Sequence, residues 1–325
     1  MKQSVLLDSG MRRNDGSSTK SEPNEANEPN DPNDLNDLNL VSYKENLMRL
    51  IRFGEKGKER PGLLRGDGIV DLTRIFRDIP DITAAFFEQG WFERIKTADA
   101  PAEKREVRLG PPLAGPSKII CLGKNYADHA REGGFEAPEK PILFSKAPSA
   151  LNGPNDPIVL PLGSRQVDWE VELAVVIGKR CKRVDAADAF SCVAGVTVMN
   201  DVSGRDAQFG DGQWFRGKSF DGFAPLGPAV VTLDEVDDID NLELNAFVDG
   251  VCMQTGNTRD LIFKIPFMIE YICRDMTLMP GDVISTGTPS GVGIFREPPV
   301  LLQPGSVVEC RIEGIGTLVN PVIGQ

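Results

Sequence analysis

Hydrophobic and polar positions alternate over much of this chain, and Gly, Pro and Asp interrupt the alternation every few residues. MRLIRF (48–53) reads as a strand, and GLLRGDGIVDL (62–72) as a hairpin turning at Gly66-Asp67-Gly68. LELNAFVDGVCMQ (242–254) alternates about Asp249-Gly250, a strong two-residue hairpin signal. VAGVTVMN (193–200) and VVECRIEGIGTLV (307–319) add strands. A helical period appears over Ile82 to Ile95. It appears again in Leu261, Ile262, Ile265, Met268, Ile269 and Ile272, with Pro266 near the start. A short helix entered at Asn125 or Tyr126 and ended by Gly133-Gly134 follows the apolar strand IICLG. The pattern predicts an α+β fold, predominantly β.

The pattern also divides the chain. Residues 1–46 contain NEANEPNDPNDLNDLN, a short-period repeat of Asn, acid and Pro or Leu. It offers no aromatic or β-branched residue to bury, so a disordered tail is expected. A small N-terminal unit, 47–112, follows, with a strand, a hairpin and a helix. The Pro/Gly-rich LGPPLAGPSK (109–118) reads as a linker to a larger unit, 113–325.

One strand breaks the alternation rule. In VDWEVELAVVIG (167–178), Glu170 and Glu172 lie two apart and share a face, which Asp168 would join. An acid/apolar strand of this kind is a solvated sheet face or a metal site, since a buried charge needs a partner or an ion. The strand VAGVTVMN ends at Asp201, which could join the two glutamates or cap the turn Asp201-Val202-Ser203-Gly204. Three carboxylates without histidine or cysteine suit a hard, oxygen-loving cation: Mg²⁺, Mn²⁺ or Ca²⁺.

Composition narrows the options further. The chain has 325 residues, is 40% hydrophobic and carries a formal charge of −12. That acidity argues against nucleic-acid binding. No apolar run reaches the ~18 residues of a membrane span, and no secretory h-region opens the chain. The six cysteines are scattered, without C-x-x-C, and read as free thiols in a cytoplasmic protein. A single histidine, His129, excludes zinc sites built on several histidines.

Other segments carry candidate chemistry. His129 and Glu132 stand one helical turn apart, an orientation that fixes an imidazole tautomer and raises its basicity, or a plain surface pair. The terminal glycines suggest a lid. Lys218 lies in an aromatic, Gly/Pro-rich loop, FRGKSFDGFAPLGP. It is either an ordinary surface lysine or a cation that stabilises a developing enolate. PGDVISTGTPSGVG (280–293) offers the hydroxyls of Thr286, Thr288 and Ser290 and glycine N–H groups that can hold an anion, or a tight turn.

Taken in order, N-Y-x-D-H-x-x-E, D-W-E-x-E-L, N-D-x-S-x-R-D-x-Q, G-K-S-F-D and T-G-T-P-x-G-V-G resemble the fumarylacetoacetate hydrolase family. The likeness is to its stand-alone hydrolase-domain branch of acylpyruvases, diketo-sugar-acid hydrolases and oxaloacetate tautomerases. It runs from about Leu47 to the C-terminus. The resemblance implies a mixed β-roll catalytic domain behind a small N-terminal α/β domain, usually in a homodimer. It implies Glu170, Glu172 and Asp201 as ligands of Mg²⁺ or Mn²⁺, and Lys218 as the active-site lysine. His129 and Glu132 become a water-activating dyad on a lid. Arg205, Gln208 and Thr288 become contacts for the substrate. Lys124 departs from the G-R-N-Y of some members, and Asp168 is left without a role. The implied activity is metal-dependent C–C hydrolysis of a 2,4-diketo acid, with oxaloacetate decarboxylation or keto–enol tautomerisation as the alternative. A non-enzymatic metal-dependent binding protein is the reading from another class.

Overall fold

The computed structural model describes residues 48–98 and 100–325, and the tail expected at 1–46 lies outside them. A large mixed sheet forms the frame. Its central strand, Val171–Ile177, is buried throughout and pairs antiparallel with Val193–Asn200 on one side and with Val283–Ser285 on the other. Val283–Ser285 runs parallel to Ile119–Gly123, which pairs antiparallel with Ile142–Lys146. Beyond Val193–Asn200 lies Ala224–Val231, and against it the N-terminal strand Arg49–Phe53. Gly195 permits this close stacking: a Cβ there would lie 2.2 Å from the Val231 carbonyl oxygen. Residues 48–110 therefore extend the same sheet. Within them Arg49–Phe53 pairs with Arg60–Arg65, and Leu109–Gly110 returns to pair with Arg52 and Phe53.

A second sheet of five strands packs against the first. It is ordered Val251–Asn257, Glu243–Val248, Val307–Ile312, Gly316–Gly324 and Ile158–Leu160. The central strand serves two cores through its period of two. Val171, Leu173, Val175 and Ile177 face the five-stranded sheet (Leu244, Val308, Ile312, Leu318) and the helix Ile265–Cys273 (Met268, Ile269, Ile272). Ala174 and Val176 face Leu50, Leu63, Phe86, Phe87 and Trp91 of the N-terminal segment. Glu172 is the one charged residue of this strand, on the face of Ala174 and Val176, and Glu170 stands just before the strand begins.

The predicted hairpins form. Asp249 (φ 51°) and Gly250 (φ 78°) both take the left-handed backbone that a tight two-residue turn demands. Two helices differ from expectation. The run Ile82–Ile95 splits into Ala84–Glu88 and Trp91–Arg94, because Gly90 adopts φ 74° and ends the first helix. The later helix begins at Ile265, not Leu261. The N–H groups of Ile262 and Phe263 are taken across the fold by the Asn125 backbone and side-chain oxygens. The six cysteines are free, and all but Cys252 are buried.

Candidate active site

The strand pairing assembles the acids. The register Val171↔Asn200 carries on to set Glu170 beside Asp201, whose N–H donates to the Glu170 carbonyl at 2.9 Å. The Glu170 N–H donates to Asn200 Oδ1 at 3.1 Å, which fixes the strand end. Glu170, Glu172 and Asp201 each present a carboxylate oxygen, and these lie within 4.8 Å of one another. All three residues are buried, so the solvated-face reading of this strand does not hold.

Cations surround two of the three. Lys218 Nζ donates to Glu170 Oε2 at 2.7 Å and to Asp201 Oδ2 at 2.8 Å. It stands at the end of the short helix Phe215–Lys218, not in an open loop, and is 1% exposed. A second lysine, Lys146, is wholly buried and donates to Asp201 Oδ1 at 2.6 Å and to the Val202 carbonyl at 3.0 Å. The third cation is Arg205, whose fork spans three partners: Asp168 Oδ1 (2.6 Å), Glu170 Oε1 (2.6 Å) and Gln208 Oε1 (3.0 Å). Asp168 thus leaves the face of the two glutamates. It orients Arg205 and accepts the Ile294 N–H at 2.9 Å.

Electrostatics separate the two glutamates. Burial alone would raise the Glu170 carboxyl, but Lys218 and then Arg205 outweigh it and hold it well below the usual carboxylate range. Burial, then Asp201 and Glu170, push Glu172 well above it. Among the described residues Glu172 has no cationic partner. Its Oε2 accepts from the Ser285 hydroxyl (2.5 Å) and the Gly287 N–H (2.9 Å). With every group ionised, four buried carboxylates (Asp168, Glu170, Glu172, Asp201) would face three buried cations (Lys146, Arg205, Lys218), one negative charge in excess. A buried excess of this sign with an all-oxygen donor set fits a divalent hard cation.

The glycine-rich loop holds anions, and the anions are the chain's own carboxylates. Gly287 N–H serves Glu172, and Gly291 N–H reaches both oxygens of Glu132 at 2.9 and 3.0 Å. Ser290 donates to Asp128 at 2.8 Å. The Thr288 hydroxyl donates to the Val171 carbonyl (2.9 Å) and accepts from Gln254 Nε2 (2.8 Å), so its oxygen braces the acid strand. His129 and Glu132 share the helix Ala127–Glu132 as expected. Nδ1 of His129 stands 3.5 Å from Glu132 Oε2, beyond hydrogen-bond length, and is buried without a partner. Bonds of this kind commonly tighten when substrate binds.

These groups converge on a cleft of about 520 Å³, open space at its mouth included. His129, Glu170, Glu172, Arg205, Gln208, Lys218 and Thr288 line it, together with Lys124 and the aromatic rings of Phe135, Phe144, Phe209, Trp214 and Phe295. Asp201 and Glu132 are not among the lining residues, but each stands against one, Asp201 against Lys218 and Glu132 against His129. Sequence reasoning missed Lys146 and Gln254. Lys146 ends the strand Ile142–Lys146, the same strand-end position that drew attention to Asp201.

Known proteins resemble this chain over most of its length. Residues 118–323 match the family described as fumarylacetoacetate (FAA) hydrolase, C-terminal. The mitochondrial oxaloacetate tautomerase FAHD2A of Bos taurus is 46% identical over 288 residues, covering 85% of this chain and 92% of the relative. The fumarylacetoacetate hydrolase of Exiguobacterium antarcticum superposes with a TM-score of 0.73 at 37% identity, over 86% of this chain and 100% of that structure. The 5-carboxymethyl-2-hydroxymuconate delta-isomerase of Mycobacterium smegmatis gives 0.69 at 39% identity, over 86% and 99%. Matched over well over half its length and close in identity to curated relatives, this chain is an enzyme of the fumarylacetoacetate hydrolase family.

Proposed function

We propose that this enzyme interconverts the keto and enol forms of oxaloacetate. The observation that carries the reading is Lys218, a buried ammonium on the cleft wall with two of its three protons held by Glu170 and Asp201. The third is available to a substrate oxygen. Glu170, Glu172 and Asp201 would hold Mg²⁺ or Mn²⁺, which when bound supplies Lewis-acid polarisation of the 2-keto acid end.

The chain's own residues then move one proton. His129 accepts the C3 proton, the C3–H electron pair becomes the C2=C3 bond, and the carbonyl pair moves onto the C2 oxygen, where the Lys218 ammonium holds it by a hydrogen bond. That oxygen takes a proton from solvent and His129 releases its own, so both side chains return to their starting states. Asp201 and Glu170 hold Lys218 in place and keep it charged. Arg205, fixed by Asp168, leaves the amide nitrogen of Gln208 without a bond to another described residue and so available to the substrate carboxylate. Aromatic rings at the cleft exclude water from the developing enolate.

Tautomerisation takes precedence over the C–C hydrolysis that the motifs favoured, for two reasons. The similarity to an oxaloacetate tautomerase is high over most of both chains. And tautomerisation needs only a base and an enolate-stabilising cation, which His129 and Lys218 on the cleft wall supply, with no further group to position a water. Hydrolysis remains the second reading because His129 and Glu132 do face each other.

The test follows oxaloacetate enol absorbance with Mg²⁺, beside pyruvate release from an acylpyruvate. Accelerated loss of the enol, with acylpyruvate left intact, is expected. Cleavage of the acylpyruvate with no effect on oxaloacetate would replace this reading with the hydrolase one.

A further inference from the structure

Three basic side chains other than His129 line the cleft: Lys124, Arg205 and Lys218. Arg205 and Lys218 are paired with buried carboxylates. Lys124 is not. Among the described residues no carboxylate lies within ion-pair distance of its ammonium, which sits 3.2 Å from the centroid of the Phe135 ring. An aromatic face attracts a cation through its quadrupole but brings no opposite charge. Lys124 therefore keeps an uncompensated charge at the cleft, and partial burial depresses its pKa from the ordinary value.

The backbone sets the direction in which this side chain leaves the chain. Lys124 has φ 56°, a left-handed conformation that costs a non-glycine residue about 1–3 kcal/mol and survives only where its surroundings enforce it. They do so here. Asn125 is fully buried, donates to the Phe263 and Thr286 carbonyls at 3.1 and 2.8 Å, and accepts from the Phe263 N–H at 2.8 Å. On the other side Gly123 lies against Trp214, where a Cβ would come within 2.6 Å of the indole.

We infer that Lys124 is a specificity-determining residue: it receives the distal carboxylate of the substrate and sets the substrate class as short 2-keto dicarboxylic acids. The inference rests on the proposed function only in taking the 2-keto acid end to lie at the carboxylate cluster. Lys124 takes no part in the proton transfer, so its loss acts on binding.

The experiment is calorimetric titration in Mg²⁺ with malate and lactate, 2-hydroxy acids that differ by one carboxylate and cannot enolise. Wild type is expected to prefer malate by about tenfold or more, the worth of one charge-assisted hydrogen bond. Lys124→Met is expected to lose that preference with lactate affinity unchanged, and Lys124→Arg to keep it. Equal wild-type affinities, or a malate preference that survives in a Lys124→Met protein of native melting temperature, would overturn the inference. Failure of wild type to turn over oxaloacetate would instead remove the proposed function, and the malate–lactate comparison would still decide the role of Lys124.

Discussion

Replacing Lys146 by methionine keeps the length of the side chain and removes its charge. Asp201 Oδ1 loses its partner at 2.6 Å and the Val202 carbonyl its donor at 3.0 Å. Counted with every group ionised, the buried cluster then has two excess negative charges in place of one. Removing one member of a buried ion pair costs about 3–5 kcal/mol, because the other charge stays buried and uncompensated. Against a typical fold stability of about 5–15 kcal/mol, that is a large fraction. Urea unfolding in EDTA should show this loss, and repeating it in Mg²⁺ should show a larger metal stabilisation in the variant than in wild type. Lys146→Met/Asp201→Asn removes one charge of each sign, returns the excess to one and should recover part of the loss. A penalty below about 1 kcal/mol, the range of exposed pairs, would refute the reasoning, as would a double variant whose penalty equals the sum of the singles.

Glu172→Gln brings the cluster to neutrality while keeping an acceptor for Ser285 and Gly287. It should stabilise the metal-free protein by on the order of 1 kcal/mol and abolish the Mg²⁺-dependent rise in melting temperature, both read from thermal melts. Gly291→Ala places a Cβ 2.1 Å from the Met253 carbonyl oxygen at φ 104°. It should cost more than about 2 kcal/mol in urea unfolding and lower kcat, since the Gly291 N–H no longer holds Glu132. Asp168→Asn should lower activity with Mg²⁺ affinity little changed in titration, because it frees Arg205 without touching the three acids. At Asp71, burial would raise the carboxyl, but Thr73 and Arg60 outweigh it and hold it below its ordinary 3.8. A depressed carboxyl stabilises the fold above the unfolded value, and that stability is lost as pH falls through the folded one. Asp71→Ala should therefore cost about 0.5–2 kcal/mol at pH 7 and progressively less below pH ~4, as measured by urea midpoints across pH.

The site was legible where chemistry follows local spacing, and obscure where it depends on partners far away in the chain. Glu170 and Glu172 declare themselves by a period of two, and Asp201 by ending an apolar strand. Lys146 carried the same strand-end signal, but a lone lysine after ILFS reads as an ordinary surface residue until Asp201, 55 residues on, is placed against it. Asp168 shared the odd–even phase of the glutamates, yet the strand is irregular at Trp169–Glu170, and Asp168 pairs with Ser203 instead. The late start of the helix at Ile265 was hidden for a similar reason: its competitor is the Asn125 side chain, 138 residues away. Gly90, by contrast, stood in plain view inside the run 82–95, and its helix-ending φ was a local signal given too little weight.

The most direct test of the account is the rate at which oxaloacetate enol is lost, measured with and without Mg²⁺ in wild type and in Lys218→Met. The account predicts catalysis by wild type with Mg²⁺, little with EDTA, and a drop in kcat of about 100-fold or more in Lys218→Met, the scale of a lost oxyanion donor. A Lys218→Met enzyme that folds and retains the wild-type rate would contradict it.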